Sequence, residues 1–267
     1  MTERQVASGL ATIEAEPDGT FVLRVDRSLQ SRVDLADPTR LLFEYVRRIG
    51  DVLDALAPRR QPIAVLHIGG AGLTLPRYVA ATRPGSRQVV LEPDEDLTEF
   101  VREALPLRKR TGIKVRGSTG RAGIALVYDA SMDAVIVDAF EHETVPANLV
   151  TAEFVEQCAR VLRPNGVAVL NLVDGAAGLP FARRVAATVL ALGNGLVLVE
   201  RPVLRGRRFG NVVLVGCRGL LPGVDGTAAS PPYDVVPLRE FAGQARPLTD
   251  AEPFVSPATP AGTIRRR

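Results

Sequence analysis

The sequence predicts an α/β fold, a mostly parallel Rossmann-like sheet flanked by helices, on two observations. Short apolar runs alternate with amphipathic segments from residue 63 to residue 200, a pattern that needs crossover connections and hence a parallel sheet. The run Val65-Leu-His-Ile-Gly-Gly-Ala-Gly-Leu-Thr74 also has the form of a first strand-to-helix turn, and Glu92 closes the next apolar run. With 267 residues, 46% of them hydrophobic, the chain is long enough to bury one full core of this type.

Taken in order, residues 10–16 and 20–25 alternate and are joined by Pro17-Asp-Gly19. Proline presets φ and glycine accepts a positive one, so residues 1–36 are expected to hold a small β-hairpin. Asp37-Pro38 opens an amphipathic stretch over 39–56, where Leu42, Val46, Ile49, Leu53 and Leu56 recur at helical spacing and Pro58 and Pro62 close it. Strands are expected at 63–68, 88–92, 112–116, 134–138 and 166–172, with helices near 73–82, 95–105, 120–127 and 151–162. Arg163-Pro-Asn-Gly166 stops the last of these helices. A helix over 176–192 then leads to strands at 196–200 and 211–216, close enough to pair antiparallel, which makes a seven-stranded sheet in a domain over 37–218. Eight prolines fall between Pro222 and Pro260, so the 219–267 tail is expected to lie extended on the surface or unstructured, with one short helix near 235–244.

Composition excludes several classes. Basic and acidic residues nearly balance, 33 against 30, which is no nucleic-acid footprint. Only Lys109 and Lys114 among the basic residues are lysine, and Arg265-Arg-Arg267 reads as a solvated tail. Cys158 and Cys217 lie far apart without partner spacing, so neither a disulfide framework nor a zinc site is indicated and a reducing cytoplasm is the expected location. No signal peptide is legible, and the longest apolar region, 185–199, is broken by Gly193-Asn-Gly195, so no membrane span is expected. With His67 and His142 the only histidines, no His-rich metal centre is expected, and His67, inside a strand, reads as a core residue.

The glycines of the first turn, Gly69, Gly70 and Gly72, let the backbone approach a ligand. The Glu92 carboxylate, at the same edge of the sheet, can accept from both hydroxyls of a ribose. The dinucleotide pattern G-x-G-x-x-G is incomplete, because Leu75 stands where its last glycine would be. The fourth strand ends in Asp133-Ala-Val-Ile-Val-Asp138-Ala-Phe-Glu141-His-Glu143, which puts Asp138, Glu141 and Glu143 at the ligand-binding edge as an anionic mouth suited to amines. The structural alternative makes Asp138 a helix cap and the two glutamates solvated loop residues.

Together these motifs resemble the spermidine synthase family, polyamine aminopropyltransferases built on the fold of S-adenosylmethionine-dependent methyltransferases. The resemblance covers most of the chain through Gly216. The family's V-L-I-G-G-G-D-G strand and turn is matched by residues 65–73, its V-E-I-D by Leu91-Glu92-Pro-Asp94, and its D-V-I-x-D-x-x-D by Asp133 to Glu141. An E-F pair on the next helix is matched by Glu153-Phe154, and L-x-P-G-G by Leu162-Arg-Pro164-Asn-Gly166. The resemblance implies a methyltransferase-type sheet behind an N-terminal hairpin, and a homodimer. It further implies that Gly69, Gly70 and Gly72 surround the thioether and ribose of decarboxylated S-adenosylmethionine, that Glu92 holds the ribose, that Asp138 is the catalytic base, and that Glu141, with Glu143 beside it, holds the amine. No metal is implied.

Three departures stand out. The acidic residue of the family's glycine turn falls at Gly72, the aspartate that bonds adenine after the third strand falls at Ser118, and the Y-H-E segment is replaced by Arg40-Leu-Leu-Phe-Glu44-Tyr45. Two other readings therefore stand beside aminopropyl transfer. One is a methyltransferase using S-adenosylmethionine, whose carboxylate suits the loss at Gly72. The other is a non-catalytic binding or oligomeric protein that keeps the fold.

Overall fold

The computed structural model describes residues 1–141, 143–175, 177–226 and 232–257. Residues 2–33 form a four-stranded antiparallel sheet in sequential order, β1 (Thr2–Val6), β2 (Gly9–Ala15), β3 (Phe21–Val25) and β4 (Ser28–Val33). The expected hairpin is β2 and β3, and the two outer strands correct it. Thr-Glu-Arg-Gln-Val and Ser-Leu-Gln-Ser-Arg-Val are mostly polar, so little apolar alternation marks them. The turn into β4 contains no glycine either: Asp26 and Arg27 take φ values of 46° and 71°, the left-handed pair that a tight hairpin needs. The Asp26 carboxylate supports the turn by accepting the Leu10 amide at 2.9 Å.

The second sheet has the order β12-β10-β11-β9-β8-β5-β6-β7. Its strands are β5 (Ala64–Ile68), β6 (Arg87–Leu91), β7 (Ile113–Arg116), β8 (Met132–Val137), β9 (Leu162–Asp174), β10 (Asn194–Val199), β11 (Gly210–Cys217) and β12 (Asp234–Pro237). Helices α1 (Glu44–Ala55), α2 (Thr74–Thr82), α3 (Glu95–Ala104), α4 (Gly120–Ala125), α5 (Ala152–Val161), α6 (Pro180–Val189), α7 (Arg201–Leu204) and α8 (Leu238–Ala242) connect or follow them. Strands β5 to β9 pair in parallel, and β11, β10 and β12 add antiparallel pairs. Both faces are covered. Leu66, Ile68, Val135 and Val137 pack with Phe154 and Phe181 on one side, and Val65, Ala134 and Ile136 pack with Ile49, Leu53 and Val79 on the other. That double burial is why these strands read as continuous apolar runs. The N-terminal sheet packs separately on α3, through Ala11, Ile13, Leu23 and Val25 against Leu97, Phe100 and Val101.

The sheet has eight strands where seven were expected, because the proline-rich tail supplies β12, which pairs antiparallel with β10. The tail is thus built into the fold rather than merely laid on it. Phe241 and Leu248 are buried, and the Leu248 carbonyl accepts the Ala152 amide at 2.8 Å at the start of α5. A four-residue strand ending in proline is tolerated at a sheet edge but leaves no periodic signal. Arg265 to Arg267 lie outside the described residues.

Helix α1 begins at Glu44 rather than near 39, since the Thr39 amide and hydroxyl both bond Asp37 Oδ1 and hold a turn there. Its far end rests on Arg83, whose buried guanidinium donates to the carbonyls of Leu53, Asp54, Ala57, Pro58 and Gln61. The helix expected over 176–192 begins at Pro180, and Ala176 lies outside the described residues. His67 is a core residue: its Nε2 lies 2.9 Å from Gln88 Oε1, and burial holds its pKa down to about 4. Among the described residues, no helix is long and apolar enough to cross a membrane.

Candidate active site

The strand order reverses between β8 and β5, and α/β sheets bind ligands at the carboxyl ends of strands at such a point. Four strand ends stand side by side there. The Asp138 amide bonds Ile68 O at 2.9 Å, the Gly69 amide bonds Leu91 O at 3.0 Å, and the Glu92 amide bonds Arg116 O at 3.1 Å. Gly69, at φ +93°, lies against the backbone of Asp138, and a β-carbon at Gly69 would overlap that carbonyl oxygen. The first turn and the fourth strand end are therefore in direct contact.

Glu92 is fixed by the turn it faces. Its Oε2 accepts the amides of Gly70 at 2.9 Å and Ala71 at 3.3 Å, and its Oε1 accepts the Asp94 amide at 3.1 Å. A carboxylate has about four lone-pair sites, so a locked Glu92 keeps capacity for ligand hydroxyls. Asp94 itself is structural. It caps α3 through the Leu97 amide at 2.9 Å and accepts both the amide and the hydroxyl of Ser8. Gly72 is not brought to the same place as Gly69 and Gly70. Its amide bonds Ser31 Oγ at 3.0 Å, and a β-carbon there would meet Ser31 Cβ at 2.7 Å, so Gly72 makes room for the N-terminal sheet. Between these glycines, Ala71 and Leu73 hold φ values of 38° and 59°, left-handed positions that cost non-glycine residues free energy.

Asp138 is half-buried and does not cap a helix. Its Oδ1 accepts Asn171 Nδ2 at 2.8 Å, Asn171 Oδ1 accepts Asn211 Nδ2 at 3.1 Å, and the Tyr45 hydroxyl bonds the same aspartate. Burial raises the Asp138 pKa above the ordinary carboxylate value, and the Asn171 and Tyr45 bonds only partly offset it. Burial first, and then the charge of Asp138, push the Tyr45 phenol well above its usual value, so Tyr45 stays a donor. A more basic carboxylate with two fixed donors is poised to take a proton.

The other two expected acids are exposed in the loop that follows β8. Glu143 is exposed, and its Oε1 accepts Ser28 Oγ at 2.6 Å, which ties the mouth loop to β4. Glu141 is exposed and shares a backbone bridge with Thr144; His142 between them lies outside the described residues. The tail anchors this loop as well, since the Val145 amide donates to buried Ser256 Oγ at 2.8 Å. Ser118 stands just past β7, half-exposed, with its hydroxyl donating to Thr119 O at 3.2 Å.

Sequence reasoning missed the partners of Asp138. Asn171 had a signal, a lone amide inside Val167-Ala-Val-Leu-Asn-Leu-Val173. Tyr45 had its place in the Arg40–Tyr45 segment that stands where the family's Y-H-E is expected. A further cluster lies where β10 ends: Arg48, 2% exposed, donates to Glu200 at 2.6 Å and to Asn211 O at 3.3 Å, and Arg208 pairs with the same glutamate. Burial and the neighbouring Glu200 raise the pKa of Glu44, which hydrogen-bonds Glu200.

Residues 43–174 match the spermine/spermidine synthase domain. The matched stretch holds the turn, Glu92, Tyr45, Asp138 and Asn171 alike. A polyamine aminopropyltransferase of Chromobacterium violaceum is 27% identical over 148 residues, covering 55% of this chain and 56% of the relative. The chain spans about half the length of the curated relatives it matches. The crystal structure of a probable spermidine synthase from Corynebacterium glutamicum superposes with a TM-score of 0.84 at 26% identity, covering 93% of this chain and 96% of the other. Human methyltransferase-like protein 13, solved with SAH, shares the fold at a TM-score of 0.53 and 23% identity, over 75% of this chain and 90% of its own.

Proposed function

We propose that this protein is an aminopropyltransferase that binds decarboxylated S-adenosylmethionine along the edge formed by β8, β5, β6 and β7 and transfers its aminopropyl group to an amine such as putrescine. The observation that carries the reading is the order of groups on that edge: Asp138 at β8, a turn free of side chains at Gly69 and Gly70, then Glu92 at β6. Adjacent strands lie ~4.8 Å apart, so Asp138 and Glu92 stand about 10 Å apart, a span that suits an adenosine with its ribose at one end and its reacting group at the other. The residues fit such a ligand: β-carbons at Gly69 and Gly70 would crowd Asp138 O and Glu92 Oε2, and Glu92 is already oriented by three backbone amides.

The sulfonium supplies an electrophilic carbon and a neutral thioether leaving group. Asp138 removes the proton of the attacking ammonium, so that the nitrogen lone pair forms the new C–N bond as the C–S bond breaks. Asn171 and Tyr45 fix the carboxylate while it does so; holding the amine and the reacting carbon together in line is the step worth on the order of 7–11 kcal/mol. Glu141, exposed in the loop after β8, anchors the far end of the amine. Assembly as a homodimer in the cytoplasm belongs to the same reading.

The test is calorimetric titration with methylthioadenosine, followed by product analysis. Binding that Glu92→Ala abolishes, with aminopropyl transfer from decarboxylated S-adenosylmethionine that Asp138→Asn abolishes, supports the reading. Methyl transfer from S-adenosylmethionine without aminopropyl transfer replaces it with the methyltransferase reading, which the absence of a carboxylate at Gly72 favours. No binding at millimolar ligand overturns the nucleoside site altogether.

A further inference from the structure

We propose that Glu95 reads the base of the bound nucleoside, its carboxylate accepting the exocyclic amino group of adenine. The inference rests on the nucleoside reading of the cleft and extends it to a residue outside the sequence motifs. If the ribose is held by Glu92 at β6 and the reacting end faces Asp138 at β8, the base extends the opposite way, toward the end of β7. The Glu92 amide is bonded to Arg116 O, so Gly117 and Ser118 are the next residues along that path.

The acid that the family resemblance leads one to expect at that point is Ser118 here, a neutral side chain whose hydroxyl proton is directed to Thr119 O. A carboxylate nevertheless arrives from α3. Glu95, the first residue of that helix, folds its side chain over Gly117, where a β-carbon would overlap Glu95 Oε1 and lie 2.6 Å from its Cγ. No hydrogen bond or ion pair from the described residues occupies the Glu95 carboxylate, so its oxygens are available as acceptors. Gly117 has no positive φ to explain it. Its role is space: it lets the carboxylate lie flat against the strand end.

Adenine presents an amino donor at its six position, whereas hypoxanthine presents an oxygen there that a carboxylate repels. A charge-assisted bond is about twice as strong as a neutral one, so Glu95 confers preference for a 6-amino base. Because Glu95 is exposed, the preference sits at the low end for charged hydrogen bonds, about tenfold in affinity.

Calorimetric titration with methylthioadenosine and methylthioinosine tests this. Wild-type protein is expected to bind the amino compound about tenfold more tightly. Glu95→Ala is expected to erase that preference by weakening methylthioadenosine binding, with methylthioinosine bound no more weakly than by wild type. Gly117→Ala, which displaces the carboxylate without removing its charge, is expected to erase it too, and Ser118→Ala to preserve it. Equal wild-type binding of the two compounds, still dependent on Glu92, refutes the role of Glu95 and leaves the nucleoside site standing. A preference that survives Glu95→Ala, or that Ser118→Ala alone removes, also refutes it. Failure of either compound to bind wild-type protein overturns the nucleoside site and this proposal with it.

Discussion

Tyr45→Phe removes the hydroxyl that bonds Asp138 at the sheet edge, and its effect should depend on pH in a defined direction. Burial holds the Asp138 pKa above its ordinary value against the opposing bonds of Asn171 and Tyr45. A carboxyl whose folded-state pKa is raised contributes stability that is present at low pH and lost as pH rises from the unfolded value, about 3.9, through the folded one. Deleting the hydroxyl raises the folded pKa further and so deepens that loss. At low pH the variant gives up a neutral hydrogen bond, about 1 kcal/mol, and once Asp138 ionises it gives up a charged one, about 2 kcal/mol. The stability gap should therefore widen by about 1 kcal/mol, equivalent to a pKa change of about 0.7 units. Urea denaturation of both proteins between pH 4 and pH 8 measures the gap, and titrations common to both cancel in the difference. In an Asp138→Asn background the pH dependence of the gap should vanish. A gap that is constant or narrows with pH would refute the direct coupling of Tyr45 to Asp138.

Three further changes follow from the same contacts. Arg83→Met strips five carbonyls of a buried donor and should cost about 3–5 kcal/mol in denaturant unfolding; Arg83→Lys, with three donors in place of the fork, should cost less. Gly69→Ala puts a side chain into the Asp138 carbonyl at φ +93° and should destabilise by at least ~2 kcal/mol while abolishing methylthioadenosine binding, seen in paired melting and titration experiments. Arg27→Gly, at exposed φ 71° in the β3–β4 turn, should stabilise by about 0.5–1 kcal/mol and raise the melting temperature.

How much of the protein is legible along the chain depends on how locally each feature is encoded. Strands β5, β6 and β8 announce themselves, since burial on both faces demands apolar residues at successive positions. The position of Glu92 was legible because it depends on one spacing, from a glycine turn to the end of the next parallel strand. Strands β1, β4 and β12 were not, because an exposed or edge strand is defined by its pairing partner more than by its own side chains. The turn at Asp26-Arg27 carries no glycine to mark it, and the 219–267 segment has the composition of a linker although Leu248 and Ser256 are buried within the fold.

The site divides along the same line. The sequence by itself determined the doubly covered parallel sheet, the Gly69–Gly70 turn, and the presence of Glu92 and Asp138 at one edge, all of which follow from periodicity and strand order. Only the tertiary structure decided which acids meet. Asp138 gains Tyr45 from α1 and Asn171 from β9, residues 93 positions before it and 33 after it, whereas Glu143 is drawn away to Ser28 and Gly72 to Ser31. Side-chain encounters across such separations are set by how helices and sheets pack, and packing leaves no period in the chain to read.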